Sequence, residues 1–225
     1  MSSKARHVLI TGGSRGIGLS IAQAFAKKSY RCTLISRSQS NLESALSSLT
    51  PITSTPKHHY IAGSVTSSDF WTTSHFKEQG LVKGGESSKI DVLVNCAGIT
   101  QSKLFHTTPA EDIQAIVDTN LTALMLGTRF LLRNRYLHST SSSRRGDAFS
   151  PSIINVSSLL GVSGGYGAVA YAASKAGVLG FTRALATEYM GHGVRVNTIV
   201  PGYVESDMTA GTLLPFCRVG SINLF

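Results

Sequence analysis

Tyr171 and Lys175 stand four residues apart in "YAASK", so a helix through them puts both side chains on one face. A phenol titrates near 10 in water, too high for ready proton exchange at neutral pH. An ammonium alongside favours the phenolate and brings that value down. Such a pair could pass a proton to a substrate oxygen. Ser158 lies upstream in "NVSSL", which lacks the Gly-x-Ser-x-Gly turn that exposes a hydrolase nucleophile. A Tyr–Lys pair alone is common on helix surfaces; its meaning depends on what else the chain carries.

A second cluster supplies that context. Thr11-Gly-Gly-Ser-Arg-Gly-Ile-Gly18 follows an apolar run, "HVLIT", and opens an amphipathic stretch. Glycines at 12, 16 and 18 let the backbone turn tightly and approach a pyrophosphate, whose charge then rests on a helix N-terminus. The next apolar run ends "ISRS". Dinucleotide sites that take NAD usually place an acid there for the ribose hydroxyls. Here Ser36 holds that place and Arg37 follows, with Arg15 inside the glycine loop. An acid would repel a 2′-phosphate, whereas a guanidinium can pair with it bidentately. The expected cofactor is therefore NADPH.

These residues need a scaffold that lines them up. Short β-branched runs alternate with longer amphipathic stretches, the pattern of βαβ units around a parallel sheet. Strands are expected at His7–Thr11, Cys32–Ile35, His59–Ala62, Val92–Asn95, Ser152–Val156 and Arg195–Val200. Helices are expected at Ile17–Lys28, Leu42–Leu49, Pro109–Val117, Leu121–Tyr136 and Tyr171–Tyr189. The fold class is α/β, a Rossmann-type doubly wound parallel sheet of six predicted strands. "VKGGESSK" and "HSTSSSRRGDAFS" read as polar loops.

Taken in order, the glycine loop, "NCAG", "TNL", "NVSS", "YAASK" and "PGYVESDM" resemble the short-chain dehydrogenase/reductase family. The resemblance implies that Tyr171 protonates the substrate oxygen, that Lys175 also holds the nicotinamide ribose, that Ser158 polarises the carbonyl, and that Asn120 holds a proton-relay water. It implies cofactor contacts from Gly12, Ser14, Arg15, Gly16, Ile17, Gly18, Arg37, Ser64, Val65, Asn95, Ala97, Gly98, Tyr171, Lys175, Pro201, Gly202, Val204 and Ser206. One departure is visible: where the family usually shows Asp-Val for adenine, this chain has Ser64-Val65. The wording of the motifs is most similar to the 3-oxoacyl-[acyl-carrier-protein] reductase branch, which implies a 3-oxoacyl thioester substrate. Reductases of quinones, small ketones or polyketide intermediates share the same motifs.

The chain's formal charge of +9 suits an acidic acyl carrier protein, with Arg144 and Arg145 as docking charges, or a merely basic surface. No nucleic-acid or membrane partner is expected, and no metal, since the histidines show no ligand spacing. Cys32, Cys96 and Cys217 are odd in number and unspaced for metal, which suits a reducing compartment, cytoplasm or mitochondrial matrix, rather than secretion. The reductase domain is expected over residues 1–208, with 209–225 a divergent tail. The resemblance implies a substrate lid and a seventh strand that "TAGTLLPFCRVGSINLF" does not supply, so a truncated and weakly active or inactive isoform is the second expectation. The same resemblance implies a homodimer through the Leu121–Tyr136 and Tyr171–Tyr189 helices, in place of the usual tetramer.

Overall fold

The computed structural model describes residues 5–52, 57–81, 88–101, 103–138 and 150–204. The expected Ser206, Arg144, Arg145, Cys217 and the 209–225 tail lie outside them. Six strands form one parallel sheet: β1 (His7–Thr11), β2 (Arg31–Ser36), β3 (His59–Ala62), β4 (Val92–Asn95), β5 (Ser152–Val156) and β6 (Arg195–Ile199). Their order is β3-β2-β1-β4-β5-β6, with every pairing parallel. The order reverses between β1 and β4, and the crevice at the carboxyl ends of strands on either side of that reversal is where such sheets take ligands.

Alternation along each strand divides the core into two layers. Leu9, Ile35, Ile61, Leu93, Ile153 and Val196 face one side, packed with Phe76, Phe130, Leu131 and Tyr136. Val8, Ile10, Cys32, Leu34, Val92 and Val94 face the other, against Ala22, Ala26, Leu42 and Ala45. Those alanines belong to α1 (Gly16–Lys27) and α2 (Gln39–Ser47). Among the described residues β6 is a sheet edge, and its Arg195, Asn197 and Ile199 are exposed.

Short α3 (Thr73–Glu78) and α6 (Leu160–Ser163) are additions to the elements expected from sequence. Two other helices that the sequence separates prove continuous. α4 (Ala110–Val117) passes through a π-helical turn, Asp118–Thr122, directly into α5 (Ala123–Arg133). The joined 24-residue helix reaches the length and mean hydropathy (1.2) of a bilayer span, although the sequence led to no expectation of a membrane partner. Its apolar side is turned inward, however. Ile116, Leu124, Phe130 and Leu131 are buried, while Glu111, Asp112, Arg129 and Arg133 are exposed. That is the pattern of a core helix. The remaining long helix is α7 (Val169–Tyr189), which carries Tyr171 and Lys175 in its first two turns.

Candidate active site

A cleft of about 1000 Å³ opens along the carboxyl ends of the strands. Its floor at one end is the glycine loop. Gly12 has φ +70°, and a Cβ there would sit 2.8 Å from the backbone of Ala97. A Cβ on Gly18 would run into the carbonyl of Gly12. These two contacts, rather than flexibility as such, require glycine: the β1–α1 turn is folded back on itself and against the end of β4. The resulting cradle fits a pyrophosphate at the start of α1. Ser14 Oγ donates to Ser36 Oγ at 2.9 Å, tying that loop to the end of β2, where an acid would otherwise stand. Arg15 and Arg37 both line this part of the cleft and are exposed.

Ser64, Val65, Ala97, Gly98, Pro201, Gly202 and Val204 line the same cleft, as do Ser158, Tyr171 and Lys175. Two expected residues stand behind the wall. Asn95 is buried and spends its amide inside the fold, Nδ2 donating to Thr128 Oγ1 (3.0 Å) and Asn155 Oδ1 (2.9 Å). Asn120, in the π-helical turn, is fully buried. Its Oδ1 accepts from the Ile99 N–H (2.8 Å), and its Nδ2 donates to the Ile99 carbonyl and to Ser174 Oγ, both at 3.0 Å. The amide's two protons are therefore taken, and Asn120 pins the β4 loop to the π-helical turn and to α7.

Lys175 is 4% exposed, and Nζ donates to the carbonyl of Val156 at 2.8 Å while lying 5.8 Å from the centre of the Tyr171 ring. Burial lowers its pKa to about 8, partly offset by the Cys96 thiol. The sequence leads one to expect a phenol lowered by this neighbour; the structure differs. Burial raises the Tyr171 pKa above its ordinary value, and the hydrogen bond with Ser158 pulls it only part of the way back. The physical reason is that an ammonium so buried is itself reluctant to stay charged, so it lends the phenolate little support. A second anchor holds the pair in place: Ser157 Oγ donates to the Lys175 carbonyl at 2.7 Å, fastening α7 to the end of β5.

Sequence reasoning missed several lining residues. Glu111, Gln114 and Asp118, from the α4 side, form a polar wall. Cys96 also faces the cleft, its thiol pushed up to about 11 by burial, which makes it a poor nucleophile. The "NCAG" spelling was the available signal for Cys96; none existed for the α4 side, whose residues read as an ordinary helix surface.

Residues 6–213 match the family model described as short chain dehydrogenase. The chain belongs to that family. It is 34% identical over 212 residues to carbonyl reductase family member 4 of Danio rerio, covering 92% of this chain and 79% of that one. It is 35% identical over 200 residues to the 3-oxoacyl-[acyl-carrier-protein] reductase of Homo sapiens, covering 89% and 76%. Among solved structures, a single-site variant of actinorhodin polyketide ketoreductase with NADPH is similar with a TM-score of 0.74 and 28% identity, over 92% of this chain and 74% of that one. The family's members are oxidoreductases that use a nicotinamide cofactor, and this chain is one of them.

Proposed function

We propose that the chain is an NADPH-dependent reductase of the keto group of a 3-oxoacyl thioester. The observation that carries this reading is the gathering of Ser158, Tyr171 and Lys175 at one end of a single cleft whose other end holds Arg15 and Arg37. The two guanidiniums suit a 2′-phosphate, and no acid stands at the end of β2 to repel it. When bound, NADPH supplies the hydride. The chain's own part is to bind and orient. Ser158 donates a hydrogen bond to the substrate oxygen, and Tyr171 gives that oxygen its proton. Lys175, whose Nζ lies 5.8 Å from the centre of the phenol ring, would hold the nicotinamide ribose of a bound cofactor, and its charge would favour the phenolate as it develops. Asn120 fixes the β4 loop against α7, and any relay water near it would be held by neighbouring backbone rather than by its committed amide protons.

The thioester part rests on the motif wording, on the relatives of that name, and on exposed apolar side chains borne next to the elements that carry Ser158 and Tyr171. Leu104 and Phe105 after β4, and Val162 and Tyr166 after β5, are exposed by 37% to 79%. Exposed apolar side chains of this kind suit an acyl chain better than a small polar ketone. A reductase of quinones or small ketones is the second reading; the resemblance to carbonyl reductase family member 4 favours a carbonyl substrate without the thioester. Buried Cys32 and half-buried Cys96 are both free thiols, which fits a reducing compartment. Steady-state rates with an acetoacetyl thioester, a quinone and a small ketone, each with NADPH and NADH, test the assignment. The thioester with NADPH should give the highest kcat/KM. A preference for the quinone would move the assignment to the second reading, and equal use of NADH would remove the role given to the arginines.

A further inference from the structure

Gln101 occupies a junction that none of the roles above uses. Its side chain is 6% exposed, and both ends of its amide are engaged. Oε1 accepts from the backbone N–H of Ala170 at 2.8 Å and, more weakly, from that of Tyr171 at 3.4 Å. Nε2 donates to the Lys103 carbonyl at 2.8 Å and to Thr108 Oγ1 at 3.3 Å.

The first pair of contacts answers a need of α7. A helix leaves its first N–H groups without partners, and the residue before it ordinarily supplies a side-chain oxygen to the second or third. Here that residue is Ala168, which has none to give. Ala170 and Tyr171 are the second and third residues of α7, and Gln101 caps them from 69 positions upstream. The second pair of contacts holds Lys103–Thr108, the segment that includes a 3₁₀ turn (Phe105–Thr107) and the exposed Leu104 and Phe105. Leu104 also lies beside the turn that leads into α7: a Cβ on Gly167 would be 3.9 Å from its Cδ2.

We infer that Gln101 is a positioning residue that locks the Tyr171 turn of α7 and the Leu104–Thr107 segment, with its exposed Leu104 and Phe105, into one fixed relation through a single side-chain amide. On the reductase reading, on which this rests, the acyl chain lies along that segment while its keto oxygen meets the phenol. A swing of either element would separate the two, and misplacement by about 1 Å is costly in rate. A buried polar side chain with all its partners satisfied is suited to this, because its directional bonds specify one arrangement where apolar packing would tolerate several.

Two substitutions divide the amide's two jobs. Gln101→Glu keeps the acceptor for Ala170 and Tyr171, where a negative charge is also favoured by the helix terminus, and loses the donor to Lys103. Gln101→Met loses both. Amide hydrogen exchange at Ala170 and Tyr171 should quicken at least about tenfold in the methionine variant and stay near wild type in the glutamate variant, with Val178–Ala186 unchanged in both. NADPH affinity should hold within about twofold throughout, since no cofactor contact is removed. The kcat should fall about tenfold in the methionine variant and recover with glutamate, while KM for the acetoacetyl thioester stays raised in both. Unchanged first-turn exchange in the methionine variant would overturn the inference. So would equal kcat losses in the two variants. If the methionine variant does not fold, the glutamate variant decides alone: a raised KM at near-normal kcat supports the division of roles, and a normal KM overturns it. Should the wild-type chain show no turnover, the reductase reading fails while the exchange measurement still decides whether Gln101 holds Tyr171.

Discussion

Lys175 concentrates the site's electrostatic tension in one side chain. An ammonium has been carried into the protein with a single backbone carbonyl as its hydrogen-bond partner among the described residues, and its pKa drops to about 8 from 10.5. The unfolded chain therefore binds more protons than the folded one between about pH 8 and 10.5, and stability from this group rises with pH through that window. Comparing wild type with Lys175→Met by urea denaturation at pH 7.5 and 9.5, both in a Cys96→Ser background, isolates the effect, because Cys96 is the thiol whose titration the Lys175 charge also moves. The wild type should gain on the variant at the higher pH; a difference independent of pH would mean the lysine is not charged-and-buried in the way described. At the other end of the cleft, Arg37→Glu should raise KM for NADPH roughly tenfold to a hundredfold and narrow the preference over NADH, the worth of one charge-assisted contact. Unaltered cofactor preference would take Arg37 out of the site.

The elements that position these residues are joined by a buried polar chain. Asn95 on β4 reaches Thr128 on α5 and Asn155 on β5, and Asn155 Nδ2 donates to Thr182 Oγ1 on α7 at 2.9 Å. Asn155→Leu would strand Asn95 and Thr182 without their partner and should cost about 2–4 kcal/mol in chemical denaturation; a neutral result would show that the network is not a structural tie. What the sequence discloses and conceals follows from the range of the interactions at this level. "VLVN" and "IINV" read as buried strands because both faces of the sheet are covered, and β1, β3, β4 and β5 fall at the expected residues. β2 opens at Arg31, one residue before its expected start, because a charge rarely begins a buried strand; here it lies against the His7 ring, 3.0 Å from either nitrogen. α3 is six residues with one buried anchor, Phe76, too short to show a period. The glycine loop and the Tyr–Lys spacing are local signals and are legible in full. Gln101 is illegible, since nothing near it in the chain announces that it caps a helix 69 residues further on.

For the whole molecule, the homodimer that the family resemblance implies can be tested on the face that α5 leaves uncovered. Leu126 is 51% exposed on α5, a helix whose opposite side is fully committed to the core. If α5 and α7 of two chains pack together, as the resemblance implies, Leu126→Glu should shift the sedimentation of the chain from dimer to monomer at micromolar concentration without loss of NADPH binding. A monomeric wild type would contradict the assignment of that face. The reaction itself is tested most directly by NADPH oxidation by the purified chain with an acetoacetyl thioester, wild type against Tyr171→Phe, with cofactor affinity measured in parallel. Turnover is expected in the wild type, with a loss of roughly 10² to 10⁴ in kcat in the variant and equal NADPH affinity in both. Turnover that survives loss of the phenol, or a folded wild type that binds NADPH and reduces nothing, would contradict the reductase reading.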